Sequence, residues 1–280
     1  MPQCFFATDL HGSAHRYAAL FQRMAAEAPA AVFLGGDLAP HAFHAGADFL
    51  PRVLGDGLRG VRRVLGDRAP RVFCILGNDD PGVLADDLAL LELDGLLEHV
   101  HLRRADLDGV PVYGCAWVPP TPFRLKDWER YDVGRGVDPG CLTPEEGART
   151  VPVEPHEIRH ATIAADLDRL AGHDDLAAAV CLFHSPPYRT LLDRAALDGK
   201  SVDHVPLDVH IGSVAIRKFL EARQPAVALC GHVHESARLT GAWRDALGRT
   251  VLLGAAHDGP ELALVRFDPA DPAAATRELI

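Results

Sequence analysis

The 280-residue sequence has six cysteines but no C-x-x-C pair. Cys4, Cys74, Cys181 and Cys230 lie inside apolar, strand-like runs, so free buried thiols of a reducing compartment are expected, rather than disulfides or a thiolate metal site. No apolar run approaches the roughly 20 residues that a membrane helix needs, and no basic n-region followed by an apolar h-region opens the chain. The expectations are therefore a cytoplasmic location and no membrane partner. Low-complexity blocks and internal repeats are also missing, which argues against a solenoid or a disordered chain. Cations are in the minority: 28 Lys and Arg against 39 Asp and Glu give a formal net charge of −11. That balance argues against nucleic acid as a partner, although Arg59, Arg62 and Arg63 form a local basic patch. A small phosphate ester is not excluded, because bound cations can invert the field at one site.

What is present is enough for a full core, with 48% hydrophobic residues. Short apolar runs alternate with helical stretches. "QCFFAT", "AAVFLGG" and "RVFCIL" read as strands, and "AHRYAALFQRMAAEA" and "VLADDLALLEL" as helices. "HAFHAGADFLPRVL" is expected to include helix, and "GVPVYGCAW" reads as part of a hairpin. Later come a helix "EIRHATIAADLDRLAG", a strand "LAAAVCLF", a helix "SVAIRKFLEAR" and the strands "AVALC", "TVLLGAA" and "ELALVRF". The pattern predicts a layered α/β fold, a two-sheet sandwich flanked by helices. Residues 1–280 read as one domain with an irregular, Pro- and Gly-bearing insertion or flap at about 117–154, whose apolar content is too low for its own core. A second irregular segment runs from Pro186 to Gly212.

The polar residues fall where the apolar runs stop. Asp9 and His11 follow the first strand, Asp37 the second, and Asn78 and Asp79 the third. His184 ends a later one, and His232 and His234 end another. In open α/β sheets the carboxyl ends of strands converge on one crevice, so these groups can meet. Carboxylates and imidazoles suit borderline divalent ions, and one carboxylate can bridge two of them. In "GHVH" an extended backbone would project His232 and His234 from one face.

The order D-x-H, G-D, G-N, H, G-H-x-H resembles the calcineurin-like metallophosphoesterase superfamily, and the motifs reach from Asp9 to His234. The segments "WVPPTPFRLKDWE" and "VHIGSVAIRKFLEARQPAVALCGHVHES" look like a subgroup of small stand-alone bacterial and archaeal phosphoesterases. The resemblance implies a four-layer α/β fold, with two mixed β-sheets packed as a sandwich between helices. It also implies two divalent metal ions, drawn from Mn, Fe, Zn, Co or Ni. Asp9, His11 and His234 would hold one, Asn78, His184 and His232 the other, with Asp37 bridging. The implied catalytic set is Asp37, Asn78, Asp79 and His232. A hydroxide between the ions would attack phosphorus in line.

The match departs at Asp79, where many members carry a histidine. A carboxylate beside two cations should stay ionised, repel a dianionic monoester and donate no proton, which favours a phosphodiester. The expected activity is hydrolysis of a small, nucleotide-derived or cyclic phosphodiester. Phosphomonoesterase or pyrophosphohydrolase activity is the alternative, and a non-catalytic interaction scaffold a further one. The scaffold is disfavoured because every matched ligand position carries a competent residue. Asp80 followed by Pro81 reads as a helix N-cap. His41 or His44 could supply an acid, the subgroup resemblance places His210 near the site, and Asp258, beside His257, could buttress a ligand imidazole. His15, His99, His101, His156, His160, His173 and His204 are given no function.

Overall fold

The computed structural model describes residues 3–40 and 48–280. Its strands begin with β1 (Cys4–Ala7), β2 (Ala31–Gly35), β3 (Arg71–Ile75), β4 (Glu98–His99), β5 (Arg104–Leu107), β6 (Val110–Cys115) and β7 (Val180–Phe183). They continue with β8 (Ser201–Val202), β9 (Val205–Pro206), β10 (Val227–Cys230), β11 (Arg244–Leu247), β12 (Thr250–Gly254), β13 (Ala263–Asp268) and β14 (Asp271–Leu279). The α-helices are α1 (Ala14–Glu27), α2 (Asp56–Leu65), α3 (Leu84–Leu93), α4 (Pro155–His160), α5 (Ile163–Ala171), α6 (Val214–Arg223) and α7 (Ser236–Thr240).

Two six-stranded sheets form, in the orders β14-β13-β1-β2-β3-β4 and β11-β12-β10-β7-β6-β5. Each is mixed. β1, β2, β3 and β4 run parallel, while β13 pairs antiparallel with β1 and β14 antiparallel with β13. β6, β7, β10 and β12 run parallel while β5 and β11 close the edges antiparallel. The period-two geometry of strands explains the layering. In the second sheet Val112, Val180, Leu182, Val227, Leu229 and Leu253 join one buried cluster with Phe6, Phe33 and Phe73 of the first sheet. Their neighbours Tyr113, Cys115, Cys181, Phe183, Ala228, Cys230 and Leu252 pack instead with Leu167 of α5 and Ile216, Phe219 and Leu220 of α6. Tyr17, Leu20, Leu58, Val61, Leu88 and Leu91 bring α1, α2 and α3 against the first sheet. The result is the expected helix–sheet–sheet–helix sandwich. All six cysteines are free, and five are buried.

Local chemistry sets most element ends. Ser13 Oγ accepts the Arg16 N–H at 3.3 Å to start α1, and Ser213 Oγ accepts the Ile216 N–H at 3.0 Å to start α6. The stretch "EIRHATIAADLDRLAG" is two helices rather than one. Ala161 and Thr162 are extended, and Thr162 caps α5 by accepting the Ala165 N–H at 3.2 Å. β14 is a nine-residue edge strand of small and polar residues, so its hydrophobic pattern does not announce it. Between 117 and 154 there is no helix or strand, only isolated bridges such as Val118 with Glu129 and Leu125 with Ala148. No helix among the described residues is long and apolar enough to cross a membrane.

Candidate metal centre

The parallel strands of both sheets deliver their C-terminal loops to one place, and the backbone there is contorted. Asp9, His11, Asp37 and His232 all have positive φ, at 55°, 44°, 50° and 72°. Non-glycine residues rarely adopt this conformation, which costs about 1 kcal/mol or more per residue. Glycines let the loops close in. A Cβ on Gly77 would sit 2.3 Å from Asp37 Oδ1, and one on Gly231 would sit 2.8 Å from Asp9 Oδ2. Any other residue would push the two sheets' loops apart.

Within this space the side chains form two groups that share Asp37. Asp9, His11, Asp37 and His234 each offer a ligand atom, all within 4.8 Å of one another. His11 Nε2 lies 3.1 Å from His234 Nε2, and His234 Nε2 lies 3.2 Å from Asp9 Oδ1. On the other side His184 Nε2 is 3.1 Å from Asn78 Oδ1 and 3.3 Å from Asp37 Oδ2. The His232 ring centroid is 5.2 Å from that of His184. Asp37 Oδ2 also stands 3.7 Å from His11 Nε2. The backbone at His232 is not extended, so His232 and His234 do not project from one face. The left-handed turn at His232 sends it to the His184 group, while His234 joins Asp9 and His11.

The donor set fits cations. His184 Nδ1–H donates to the Gly35 carbonyl at 2.8 Å, which leaves Nε2 as a lone pair aimed at two acceptor oxygens. Two imidazole nitrogens also face each other at 3.1 Å. Such arrangements need a proton or a metal ion between the acceptors. The proton affinities report the same field. Burial lowers the affinity of His184, but Asp37 and then Asp9 outweigh it and raise its pKa to about 10. His234 rises to about 9 because the Asp9 hydrogen bond and charge overcome its burial. Burial, reinforced by the His184 charge, pushes His232 down to about 3 and keeps it a neutral, ligand-competent imidazole. Burial disfavours the charge on Asp9, but His234 and the other imidazoles hold it below the usual carboxylate range.

Asp79 lies at the rim. Its N–H donates to Asp37 Oδ1 at 2.8 Å, its Oδ1 accepts from Asn78 Nδ2 at 3.2 Å, and its Oδ2 is 3.7 Å from His11 Nδ1. Asp80 does not cap α3, whose N-cap is Val83. Instead its buried carboxylate accepts N–H groups from Leu38 at 3.0 Å, Ala39 at 2.8 Å and Gly77 at 2.9 Å. It therefore clamps the Asp37 loop to the Asn78 loop. Burial and then the Asp37 charge raise its pKa to about 7. Asp258 buttresses no ligand imidazole; it pairs with Arg238 at 2.6 Å. His210 Nδ1 meets the buried Asp193 Oδ1 at 2.8 Å, in a network that also takes the Arg189, Thr190 and Gly212 N–H groups. His41 and His44 lie outside the described residues. Sequence reasoning missed Arg16, whose guanidinium donates to the Asp9 carbonyl; its only sequence signal is a place just inside α1. A cavity of about 690 Å³ opens beside His11 and His234, and Arg16 lines it.

Comparison with known proteins identifies the family and the fold. The family model described as calcineurin-like phosphoesterase matches residues 4–236. A solved crystal structure aligns over 100% of this chain and 99% of its own, with a TM-score of 0.62 at 15% identity. That of TT1561 from Thermus thermophilus covers 99% of this chain and 98% of its own, with a TM-score of 0.59 at 15% identity. At such identities the likeness establishes the shared fold alone. An uncharacterized protein of Methanocaldococcus jannaschii is 35% identical over 72 residues, 25% of this chain and 27% of that relative's length.

Proposed function

The chain belongs to the calcineurin-like phosphoesterase family, and on that premise we propose that it hydrolyses a phosphodiester bond of a small, nucleotide-derived substrate with two divalent ions. The observation that carries the reading is the position of Asp37, whose Oδ2 lies 3.7 Å from His11 Nε2 and 3.3 Å from His184 Nε2. Asp9, His11 and His234 would hold one ion, and Asn78, His184 and His232 the other, with Asp37 common to both. When bound, such ions lower the pKa of water and neutralise charge developing on phosphoryl oxygens. The protein's own part is to fix the ligands. Gly35 orients the His184 ring, the Asp80 clamp sets the spacing of Asp37 and Asn78, and the Asp79 N–H holds Asp37 Oδ1. The Asp79 carboxylate, whose Oδ2 lies 3.7 Å from His11 Nδ1, would repel the second charge of a dianionic monoester, which favours a monoanionic diester.

The test is hydrolysis of bis(p-nitrophenyl) phosphate against p-nitrophenyl phosphate by chelator-stripped protein, with and without Mn²⁺. Metal-dependent turnover favouring the diester is expected, and Asp79→His should move the ratio toward the monoester. Faster monoester turnover would replace the diesterase with a monoesterase, and no turnover with any divalent ion would remove the enzymatic reading.

A further inference from the structure

The cavity beside His11 and His234 has a second wall, formed in part by Ser13, Arg16, His257 and Glu261. Arg16 makes that wall rigid. Its guanidinium donates to the Asp9 carbonyl and also to the carbonyls of His257 at 3.4 Å and Gly259 at 2.5 Å. One planar fork thus ties the loop after β12 to the loop carrying Asp9 and His11. The His257 ring is largely enclosed, with 17% of the side chain exposed, and its Nε2 lies 3.0 Å from Glu261 Oε2. With Nε2–H committed to Glu261, the reactive nitrogen is Nδ1. Its nearest carboxylate oxygen, Asp258 Oδ1, is 4.0 Å away, and that carboxylate is engaged by Arg238 at 2.6 Å. Among the other histidines of the cavity wall, His11 and His234 belong to the ligand set and His15 is exposed.

We propose that this cavity receives the leaving group of the ester, and that His257 protonates the leaving oxygen. His257 is then a catalytic residue, with Glu261 and Arg16 as positioning residues. The proposal rests on the phosphodiesterase reading above. A water oxygen bonds to phosphorus, and the bond from phosphorus to the leaving oxygen breaks with its electron pair on that oxygen. The oxygen takes the proton of the His257 imidazolium and departs as a neutral alcohol. The ring is reprotonated from solvent, which also takes the proton shed by the attacking water. The carboxylates beside the ring are Glu261 and Asp258, while Arg16 reaches only the His257 carbonyl and Arg238 only the Asp258 carboxylate. The substrate class is a diester whose leaving alcohol is too basic to depart as an alkoxide.

The experiment compares diphenyl phosphate with bis(p-nitrophenyl) phosphate on manganese-loaded wild type, His257→Gln and Glu261→Gln, with bound metal measured by mass spectrometry. Phenol has an ordinary pKa near 10 and needs the proton, whereas p-nitrophenol is far more acidic and needs it less. His257→Gln should lower kcat for diphenyl phosphate about 100-fold or more, and for the nitrophenyl ester less than about 5-fold. Glu261→Gln should show the same selectivity, more weakly, and metal content should match wild type. Equal losses on both esters, or loss of metal from His257→Gln, would overturn the assignment and leave the diesterase intact. A wild type that cleaves neither diester would instead overturn the diesterase reading, and this proposal with it.

Discussion

Two regions of this molecule carry dense charge, and they are built in opposite ways. At the candidate metal centre, short loops leave regular strands, and the candidate ligands come from sequence neighbours such as Asp9 and His11 or His232 and His234. The stretch between 117 and 154 has no regular element, yet it is pinned just as firmly. Lys126 and Glu129 form an ion pair with both side chains fully buried. Arg130 pairs with Asp166 and Glu157 and lies over the Trp117 ring, 4.0 Å from its centroid. Asp127 accepts the Gly82 N–H at 2.7 Å and the Thr150 N–H at 2.9 Å. Asp132 receives the Ser213 hydroxyl at 2.6 Å and the Val214 N–H at 2.7 Å at the start of α6. The first region turns imidazole nitrogens and carboxylate oxygens toward one another, so that a proton or a cation must stand between them. The second matches charges with partners, as a scaffold must. A segment low in apolar residues can therefore be ordered by buried polar contacts.

Three changes would break or sharpen this contrast. The largest effect is expected at Asp37. Asp37→Asn should cut turnover by about three orders of magnitude, roughly 4 kcal/mol of barrier, and should lower bound metal. The metal-free protein should still fold, because an asparagine Oδ1 can accept the Asp79 N–H. Turnover within tenfold of wild type would remove Asp37 from its bridging place.

Next in size is the buried pair of the irregular segment. Lys126→Met leaves the Glu129 carboxylate buried without its cation, and denaturant unfolding should report a loss of about 3–5 kcal/mol. The double variant Lys126→Met/Glu129→Leu should recover much of that loss. A single variant as stable as wild type would show that the pair does not anchor the segment.

The smallest effect concerns pH. His99 and His101 pack against Trp128, and His101 also against Trp117, while His101 Nδ1 accepts the Ala116 N–H at 3.0 Å. Burial lowers His99 to about 4 and His101 well below its ordinary value, opposed for His99 by Glu92 and reinforced for His101 by His99 and Arg130. Both are neutral in the fold, whereas the unfolded chain gains protons below about pH 6.5. Their contribution is thus complete above that pH and is lost as pH falls, by up to about 1.4 kcal/mol per pH unit for each group. Melting of chelator-treated protein between pH 7.5 and 5 should show a shallower decline for His101→Gln. Parallel curves would mean that His101 titrates alike in both states.

The candidate ligand residues were legible in the sequence because metal binding would demand particular side chains directly after particular strands. The strands were legible because burial on both faces demands continuous apolar runs. The parts misread share another cause. Asp80 has a cap's sequence surroundings, but its partners are backbone N–H groups of Leu38, Ala39 and Gly77. Asp258 sits beside a histidine but turns to Arg238.

The sequence by itself determined the layered architecture and which polar side chains stand at the strand ends, since both follow from local pattern: apolar runs of strand length, helical spacing, and Asp, His or Asn at each run's end. Only the tertiary structure decided that the backbone turns left-handed at His232, that Asp80 braces two loops and that Arg16 fastens His257 beside Asp9. Those outcomes depend on left-handed backbone turns and on hydrogen bonds between residues far apart in the chain. Such contacts are fixed by how two sheets pack, and no local pattern records them.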